Sequence, residues 1–267
     1  MVIVVVWFLA VPAAIGTGPW VPQQGLRWQY QLQGTVRTNL CAFPATGGGC
    51  VKPDVYDIDL YANDGVTLNT AGVAAVHAAG AHAVCYVDAG TWENFRPDAG
   101  AYPASVKGSP NGWPGELWLD IRATSVLLPI IDARVAKCAT AGFDAVEFDN
   151  VDGFENSTGF PLTAGDQLTF DTDLATMAHA HGLSVGLKND LSQLGQLQST
   201  FDFAINEQCA QYHECAAYDA WTAAGKAVVE VEYRVRPARF CTDADLHGRD
   251  GLQKTLALKA KPWRPCR

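Results

Sequence analysis

Two segments of this chain place a carboxylate directly after an apolar run of strand length. Asp149 follows the run at 143–148, and Glu207 follows the run at 203–206. A carboxylate at the end of a hydrophobic strand costs free energy unless it is paired or used in chemistry. Paired acids at strand ends are typical of enzymes that cleave glycosidic bonds, so we predict that Asp149 and Glu207 form a catalytic pair. The structural alternatives are a helix cap or cation pair at Asp149 and a surface loop at Glu207.

Other side chains near strand ends fit a substrate site. Glu147 alternates with Asp149 and so points the same way, either as a supporting group or as the acid itself. Asp57 and Asp59 alternate on a face that a barrel turns to its lumen or mouth, where unpaired charge is not tolerated. Aromatic rings can stack on sugars. The predicted contact or orienting residues are Asp57, Asp59, Asp88, Trp92, Glu147, Asn150, Asp152, Lys188, Asn189, Glu232 and Tyr233.

The elements that must position these residues alternate between strand and helix. Candidate strands lie at 28–32, 56–61, 82–88, 143–148, 183–188, 203–206, 227–231 and 254–258. Ala-rich amphipathic segments at 69–79, 130–141 and 171–181 each end at a glycine, Gly80, Gly142 or Gly182, close to the next strand. This repeat predicts a parallel array, a single-domain α/β fold of the (β/α)8 TIM-barrel type. A ninth candidate at 117–121 is excluded as a loop insertion, which puts the two acids on the fourth and sixth strands.

The length and composition of the chain agree with one large core. It has 267 residues, 48% of them hydrophobic. Residues 1–18 read as an apolar, signal-peptide-like leader that is too short to span a bilayer comfortably, and residues 19–267 read as the barrel domain. No other stretch could cross a membrane. We therefore expect a secreted protein.

Eight cysteines behind an apolar leader predict disulfides rather than a metal site, since no Cys-x-x-Cys occurs. The favoured local pairs are Cys41 with Cys50, Cys209 with Cys215, and Cys241 with Cys266; a Cys85–Cys138 pair is a further possibility. The chain also lacks a dinucleotide fingerprint and a phosphate-binding loop, so no cofactor is expected. Its oligomeric state cannot be read from these features.

The charge balance points away from polyanionic partners. The formal net charge is −9 and the pI is near 5.0, which argues against nucleic acid. An acidic protein suits a cationic substrate through long-range attraction, although solubility alone also accounts for such a charge.

Taken in order, several motifs resemble glycoside hydrolase family 114, the endo-α-1,4-polygalactosaminidases, over roughly residues 26–260. They are WQYQL (28–32), YDIDL (56–60), CYVDAG (85–90), WLDIR (118–122), GFDAVEFDNVDG (142–153), GLKN (186–189), NEQC (206–209) and EVEY (230–233). The resemblance implies a (β/α)8 barrel whose catalytic pair maps onto Asp149 and Glu207. Asp88 departs from the family pattern, in which a smaller polar residue such as Ser is expected.

The resemblance also implies a substrate, an α-1,4-linked galactosamine polymer that is cationic when fully or partly deacetylated. Asp59, Tyr86, Trp92 and Tyr233 would then hold sugar rings and ammonium groups, the aromatic residues partly by cation–π contact. Asp149 would be the nucleophile and Glu207 the acid/base. A carboxyl separation near ~5 Å favours retention of the anomeric configuration, whereas roughly 6.5–9.5 Å favours inversion.

Three other functions compete with this interpretation. One is a hydrolase of another α-linked sugar, similar to an α-galactosidase, and another is a carbohydrate-binding barrel without catalysis. The third, a metal-dependent phosphodiesterase, needs histidines at the strand ends, and the strand-end clusters contain none.

Overall fold

The computed structural model describes residues 18–267, which contain twelve strands and seven α-helices. The strands are β1 (Trp28–Gln31), β2 (Val55–Asp59), β3 (His82–Asp88), β4 (Thr91–Glu93), β5 (Lys107–Pro110), β6 (Glu116–Leu119), β7 (Ala145–Asp149), β8 (Ser184–Lys188), β9 (Phe203–Glu207), β10 (Val228–Glu232), β11 (Asp250–Gln253) and β12 (Arg264–Pro265). The helices are α1 (Thr70–Ala78), α2 (Thr124–Ala141), α3 (Ala164–Ala180), α4 (Leu194–Leu197), α5 (Cys209–Tyr212), α6 (Asp219–Ala223) and α7 (Pro237–Leu246).

Eight parallel strands curl into a nearly closed barrel in the order β1-β2-β3-β7-β8-β9-β10-β11, with β12 antiparallel at the end. Their residues are almost all buried, because the lumen covers one face and the helices and loops cover the other. The segment after β11 covers the seam beside β1, where Lys254 Nζ donates to Gln29 Oε1 at 2.6 Å and Trp263 Nε1 donates to Trp28 O at 2.8 Å. The predicted (β/α)8 architecture is confirmed.

The two acid-bearing strands are the fourth and sixth of this barrel, as predicted: β7 ends at Asp149 and β9 at Glu207. Residues 117–121 are not a barrel strand. Most of this stretch belongs to β6, which pairs antiparallel with β4 and β5 in a separate three-stranded sheet inserted after β3.

The prediction for the eighth strand is wrong. That strand is β11, and residues 254–258 follow it as a loop. Gly251 in β11 has a packing role: a Cβ there would lie 2.6 Å from the sulfur of Cys266. A residue without a side chain is therefore needed at this position of β11, because the Cys241–Cys266 disulfide packs against the backbone there.

The three predicted helices are present, and two of them start earlier than expected. Helix α2 begins at Thr124 and α3 at Ala164, both before the predicted starts at 130 and 171. Pro129 lies inside α2 on its exposed side, so the carbonyl that loses its partner can bind water. Gly142 ends α2 with φ 90°, the left-handed conformation that glycine adopts without strain.

All four expected cysteine pairs are bonded: Cys41–Cys50, Cys85–Cys138, Cys209–Cys215 and Cys241–Cys266. Four disulfides favour an oxidising compartment. None of the described helices combines the length and apolar character needed to cross a bilayer. The leader falls, except for residue 18, outside the described residues, so the leader and the domain bounds stay predictions.

The Cys85–Cys138 bond joins β3 to α2 and closes a longer loop than any other pair, with a sequence separation of 53. Replacing both cysteines with alanine is expected to lower the free energy of unfolding by about 4 kcal/mol, chiefly because the unfolded chain gains entropy. The Cys41–Cys50 pair, with a separation of 9, is the control, and its loss is expected to cost about 2–3 kcal/mol. Urea denaturation of both variants measures the difference; an equal or smaller loss for Cys85–Cys138 would contradict this prediction.

Candidate active site

A cavity of about 370 Å³ opens at the carboxyl ends of the parallel strands. Parallel strands share one rim, which is where barrel enzymes carry their chemistry. Consequently Asp149 of β7, Lys188 of β8 and Glu207 of β9 lie on one wall of the cavity, although 58 residues separate the two acids along the chain.

Asp149 is held as an anion by three donors. Tyr86 Oη donates to its Oδ2 at 2.6 Å, the Asn150 N–H donates to its Oδ1 at 2.9 Å, and Lys188 Nζ lies 3.2 Å from Oδ1. Burial alone would raise the pKa of Asp149, but Lys188 and these hydrogen bonds outweigh burial and lower it. Asp149 is thus ionised at neutral pH, the state that a nucleophile requires.

The backbone at Asp149 is fixed by the turn after β3. The N–H groups of Ala89 and Gly90 both donate to the Asp149 carbonyl, at 3.2 and 3.1 Å. Gly90 is required here because a Cβ would come within 1.7 Å of the Asn150 carbonyl oxygen. The close approach locks the direction in which the Asp149 side chain enters the cavity.

Glu207 is oriented by different partners. The Tyr233 hydroxyl donates to its Oε1, and its backbone N–H donates to Asn189 Oδ1 at 3.0 Å. Burial beside these carboxylates raises the pKa of both Tyr86 and Tyr233 well above the usual range, so both phenols keep the proton they donate. Tyr233 occupies Oε1 of Glu207, and none of the described residues hydrogen-bonds to Oε2, which leaves that oxygen available to a ligand.

The two acids are close enough to act on one bond. Lys188 Nζ lies 3.2 Å from Asp149 Oδ1 and 3.8 Å from Glu207 Oε1, so these oxygens are at most about 7 Å apart, the sum of the two distances. That limit on one oxygen of each acid is compatible with the roughly 5–5.5 Å separation of retaining glycosidases and with the lower end of the roughly 6.5–9.5 Å range of inverting ones.

Comparison with known proteins settles the family. The model of the glycoside-hydrolase family GH114 matches residues 10–261. This chain belongs to family GH114. The resemblance read from the motifs is confirmed.

Solved structures show the same fold. The chain is similar to Aspergillus fumigatus Ega3, crystallised in complex with galactosamine, at 31% identity and a TM-score of 0.80, covering 93% of this chain and 98% of that one. The glycoside hydrolase domain of PelA from Pseudomonas aeruginosa shares the fold at 16% identity and a TM-score of 0.58, covering 77% and 88%. An uncharacterised protein of Deinococcus radiodurans is 25% identical over 250 residues, 84% of this chain and 78% of its own length.

Within the GH114 chain, most of the predicted contact residues do line the cavity. Besides Asp149 and Glu207 they are Asp59, Tyr86, Asn150, Asp152, Lys188, Asn189 and Tyr233. Asp59 holds the Arg96 side chain in the cavity wall, because its two carboxyl oxygens accept hydrogen bonds from the Arg96 guanidinium at 2.7 and 2.8 Å.

Two of the predicted contacts, Asp57 and Glu147, lie inside the barrel and cannot meet a substrate. Both are fully buried beneath the cavity. Glu147 Oε1 accepts from Lys188 Nζ at 3.0 Å and from Tyr30 Oη at 3.1 Å. Burial and the neighbouring Glu147 carboxylate raise the pKa of Asp57 well above its usual range, so Asp57 is protonated and can donate to Glu147. Asp57 on β2 and Glu147 on β7 thus point into the barrel, where they support Lys188 from beneath the cavity.

Three more predicted contacts, Asp88, Trp92 and Glu232, also lie off the cavity wall. Asp88 accepts from the Asn150 side chain at 2.9 Å and so holds the turn beside Asp149. The Trp92 indole N–H donates to Ala99 O, and the Lys107 ammonium covers its ring at 3.8 Å. Glu232 accepts the backbone N–H at residue 210, which anchors α5. Of these three, only Asp88 holds a residue that lines the cavity, Asn150.

Several cavity residues were not found from the sequence. Tyr30 alternates with Trp28 on an inward face, a period-2 pattern that could have identified it. Glu116 and Trp113 come from the inserted sheet and the loop before β6, which had been set aside as a loop insertion. Arg96 could not be identified from its surroundings in the sequence, because Asp59, which accepts two of its hydrogen bonds, lies 37 residues away.

Among residues 18–267, two groups of three side chains have ligand atoms close enough together to hold a metal ion. Cys209 and Cys215 lie near Glu230, but they are bonded to each other and offer no thiolate. Carboxyl oxygens of Asp88, Glu93 and Glu116 lie within 4.8 Å of one another, and each of these groups already accepts from protein donors: Thr91 and Asn150, Arg96 and Arg134, and Asn111, respectively. These carboxylates serve as structural acceptors.

Proposed function

We propose that this GH114 chain is a secreted, endo-acting glycoside hydrolase that cleaves α-1,4-linked galactosamine polymers. The observation that carries the proposal is the convergence of Asp149 and Glu207 on one cavity, both within 4 Å of Lys188. The similarity to the galactosamine-bound Ega3 structure supports the sugar class. The disulfides and the apolar leader support secretion.

The proposed reaction is a double displacement with retention. Glu207 donates a proton to the glycosidic oxygen while a carboxylate oxygen of Asp149 bonds to the anomeric carbon, and the leaving sugar departs with the bonding electron pair. Glu207 then takes a proton from water, whose oxygen displaces Asp149 from the anomeric carbon and restores both groups. Tyr86 and Lys188 hold Asp149 ionised between turnovers.

The charge of the cavity supports a cationic substrate. Six acidic side chains line it against two basic ones, Arg96 and Lys188. Arg96 is paired with Asp59 and Glu93, and Lys188 serves the catalytic acids. Asp152 has no lysine or arginine within 4.0 Å in the described part of the chain, which leaves its carboxylate for an ammonium group of the substrate.

Incubation with fully deacetylated and with acetylated galactosamine polymer tests this function. We expect internal cleavage that gives a ladder of oligomers from the deacetylated polymer, and NMR should show that the first product keeps the anomeric configuration of the substrate. Inversion would reject Asp149 as nucleophile. Release of single sugars alone would favour an exo-acting hydrolase, and binding without cleavage would favour a carbohydrate-binding barrel.

Asp152 offers a test of ammonium recognition. Burial, with Asp149 and Glu155 nearby, raises the pKa of Asp152 to about 6, so its charge is present above that pH and is lost as the pH falls through it. Asp152→Asn is expected to lower kcat/KM on the deacetylated polymer about tenfold, with a smaller effect on the acetylated polymer. The variant should also lose the component of the wild-type pH profile that titrates near 6.

Kinetics on both polymers across pH measure these effects. Asp132→Asn, an exposed acid on α2 outside the cavity, is the matched control and should behave as the wild type. An equal loss on both polymers, with an unchanged pH profile, would assign Asp152 a structural role instead.

A further inference from the structure

The active-site cavity continues beyond one of its walls. A second cavity of about 220 Å³ borders it and extends along the polar loop after β2, where Asn63 and Asp64 lie. Five residues line both cavities: Leu32, Gln33, Asp59, Phe95 and Arg96. The two cavities are therefore adjacent, and these five residues lie between the catalytic acids and the second cavity.

Phe95 lies between the two cavities, and its large apolar ring is exposed to solvent. It is 50% exposed, and it faces two cavities lined mainly by polar and charged groups. An aromatic ring in such a setting offers a flat apolar surface to the C–H face of a sugar. Phe43 is more exposed, at 75%, but lines neither cavity, so exposure alone does not make a sugar site.

The Phe95 ring packs against the side chain of Arg96. The Arg96 guanidinium lies 5.3 Å from the Phe95 ring centroid. That guanidinium is itself immobilised by two hydrogen bonds to Asp59 and one of 2.7 Å to Glu93. A ring that is already ordered loses little conformational entropy when a ligand stacks on it, which favours a binding role.

We infer that Phe95 forms a distal sugar subsite, on which a ring of the same polymer stacks as the chain passes from the catalytic cavity into the second one. The ligand is a hexosamine residue of an oligosaccharide that is too long for the first cavity alone. This inference rests on the proposed function and adds a source of endo-specificity, because a bound chain would extend past the cleaved bond toward the loop after β2.

Binding of galactosamine oligomers of increasing length to the inactive Asp149→Asn protein tests the subsite by isothermal titration calorimetry. We expect affinity to rise with length up to the oligomer that reaches Phe95. In Asp149→Asn with Phe95→Ala, affinity for long oligomers should fall about tenfold, while affinity for the disaccharide stays unchanged. Phe95→Tyr, which keeps the ring, should retain the length dependence, and Phe43→Ala should have no effect.

The outcomes separate this inference from the function on which it rests. Length-dependent binding that Phe95→Ala leaves intact, or an equal loss at every length, would reject the subsite while the hydrolase function stands. Failure of every oligomer to bind would reject the proposed substrate and the subsite with it. Thermal unfolding of Phe95→Ala near the wild-type temperature shows that a loss of affinity does not come from misfolding.

Discussion

Replacing Asp149 with asparagine is expected to lower kcat/KM on the galactosamine polymer by a factor of about 10⁴. An amide oxygen cannot form the covalent bond to the anomeric carbon, so the first displacement has no nucleophile. The fold should persist, because asparagine has nearly the same shape and can still accept from the Tyr86 hydroxyl. Steady-state kinetics and a thermal unfolding curve measure the two expectations together.

Azide distinguishes the role of Asp149 from that of Glu207. In Asp149→Ala, azide can take the place of the carboxylate and should give a glycosyl azide of inverted configuration. In Glu207→Ala with a substrate whose leaving group needs no proton, azide should act in the second step and give the retained configuration. The reverse pattern would exchange the two roles, and near-normal turnover by Asp149→Asn would remove this residue from the mechanism.

That Asp149 and Glu207 meet at one cavity could be predicted from the sequence because the pattern around each acid is local. An apolar strand that ends in a carboxylate is visible in a short stretch, and parallel topology brings such ends together. The hydrogen bonds that hold the two acids could not be predicted, because they are not local: Tyr86 reaches Asp149 from β3, and Tyr233 reaches Glu207 from the residue after β10. Which strand-end residues face the cavity depends on strand tilt, so Glu232 and Tyr233 were both predicted as contacts although only Tyr233 lines the cavity.

The eighth strand shows where pattern reading fails. Residues 254–258 include three consecutive apolar residues at 256–258, whereas Asp250–Gln253 contains a glycine and an acid. The barrel nevertheless uses the second segment, because Gly251 lets the Cys241–Cys266 bond pass and because β11 pairs along β10. Tertiary packing outweighed local propensity here.

The Lys188 ammonium lies close to three carboxylates at the base of the cavity. It lies 3.0 Å from Glu147, 3.2 Å from Asp149 and 3.8 Å from Glu207. Burial opposes its charge, but these three carboxylates outweigh burial and raise the pKa of Lys188 well above its usual range. The lysine is therefore cationic at neutral pH, and its charge lowers the pKa of Asp149.

Replacing Lys188 with methionine, which has a similar length and no charge, is expected to lower kcat/KM about 10²-fold at neutral pH. The acid limb of the pH profile should also move to higher pH. The sign follows from Asp149: it must be ionised to react, the cation at 3.2 Å lowers its pKa, and loss of that cation lets burial raise the pKa. Raising the pH should then restore part of the lost activity.

Kinetics of Lys188→Met across pH decide between an electrostatic and a packing role. Lys259→Met, an exposed lysine in the loop after β11, is the control and should keep the wild-type profile. If activity falls by the same factor at every pH, Lys188 only fills space between β1 and β7. If the acid limb shifts upward, the buried ammonium keeps Asp149 ready to attack, and the charge relation between β7 and β8 is part of the catalytic mechanism.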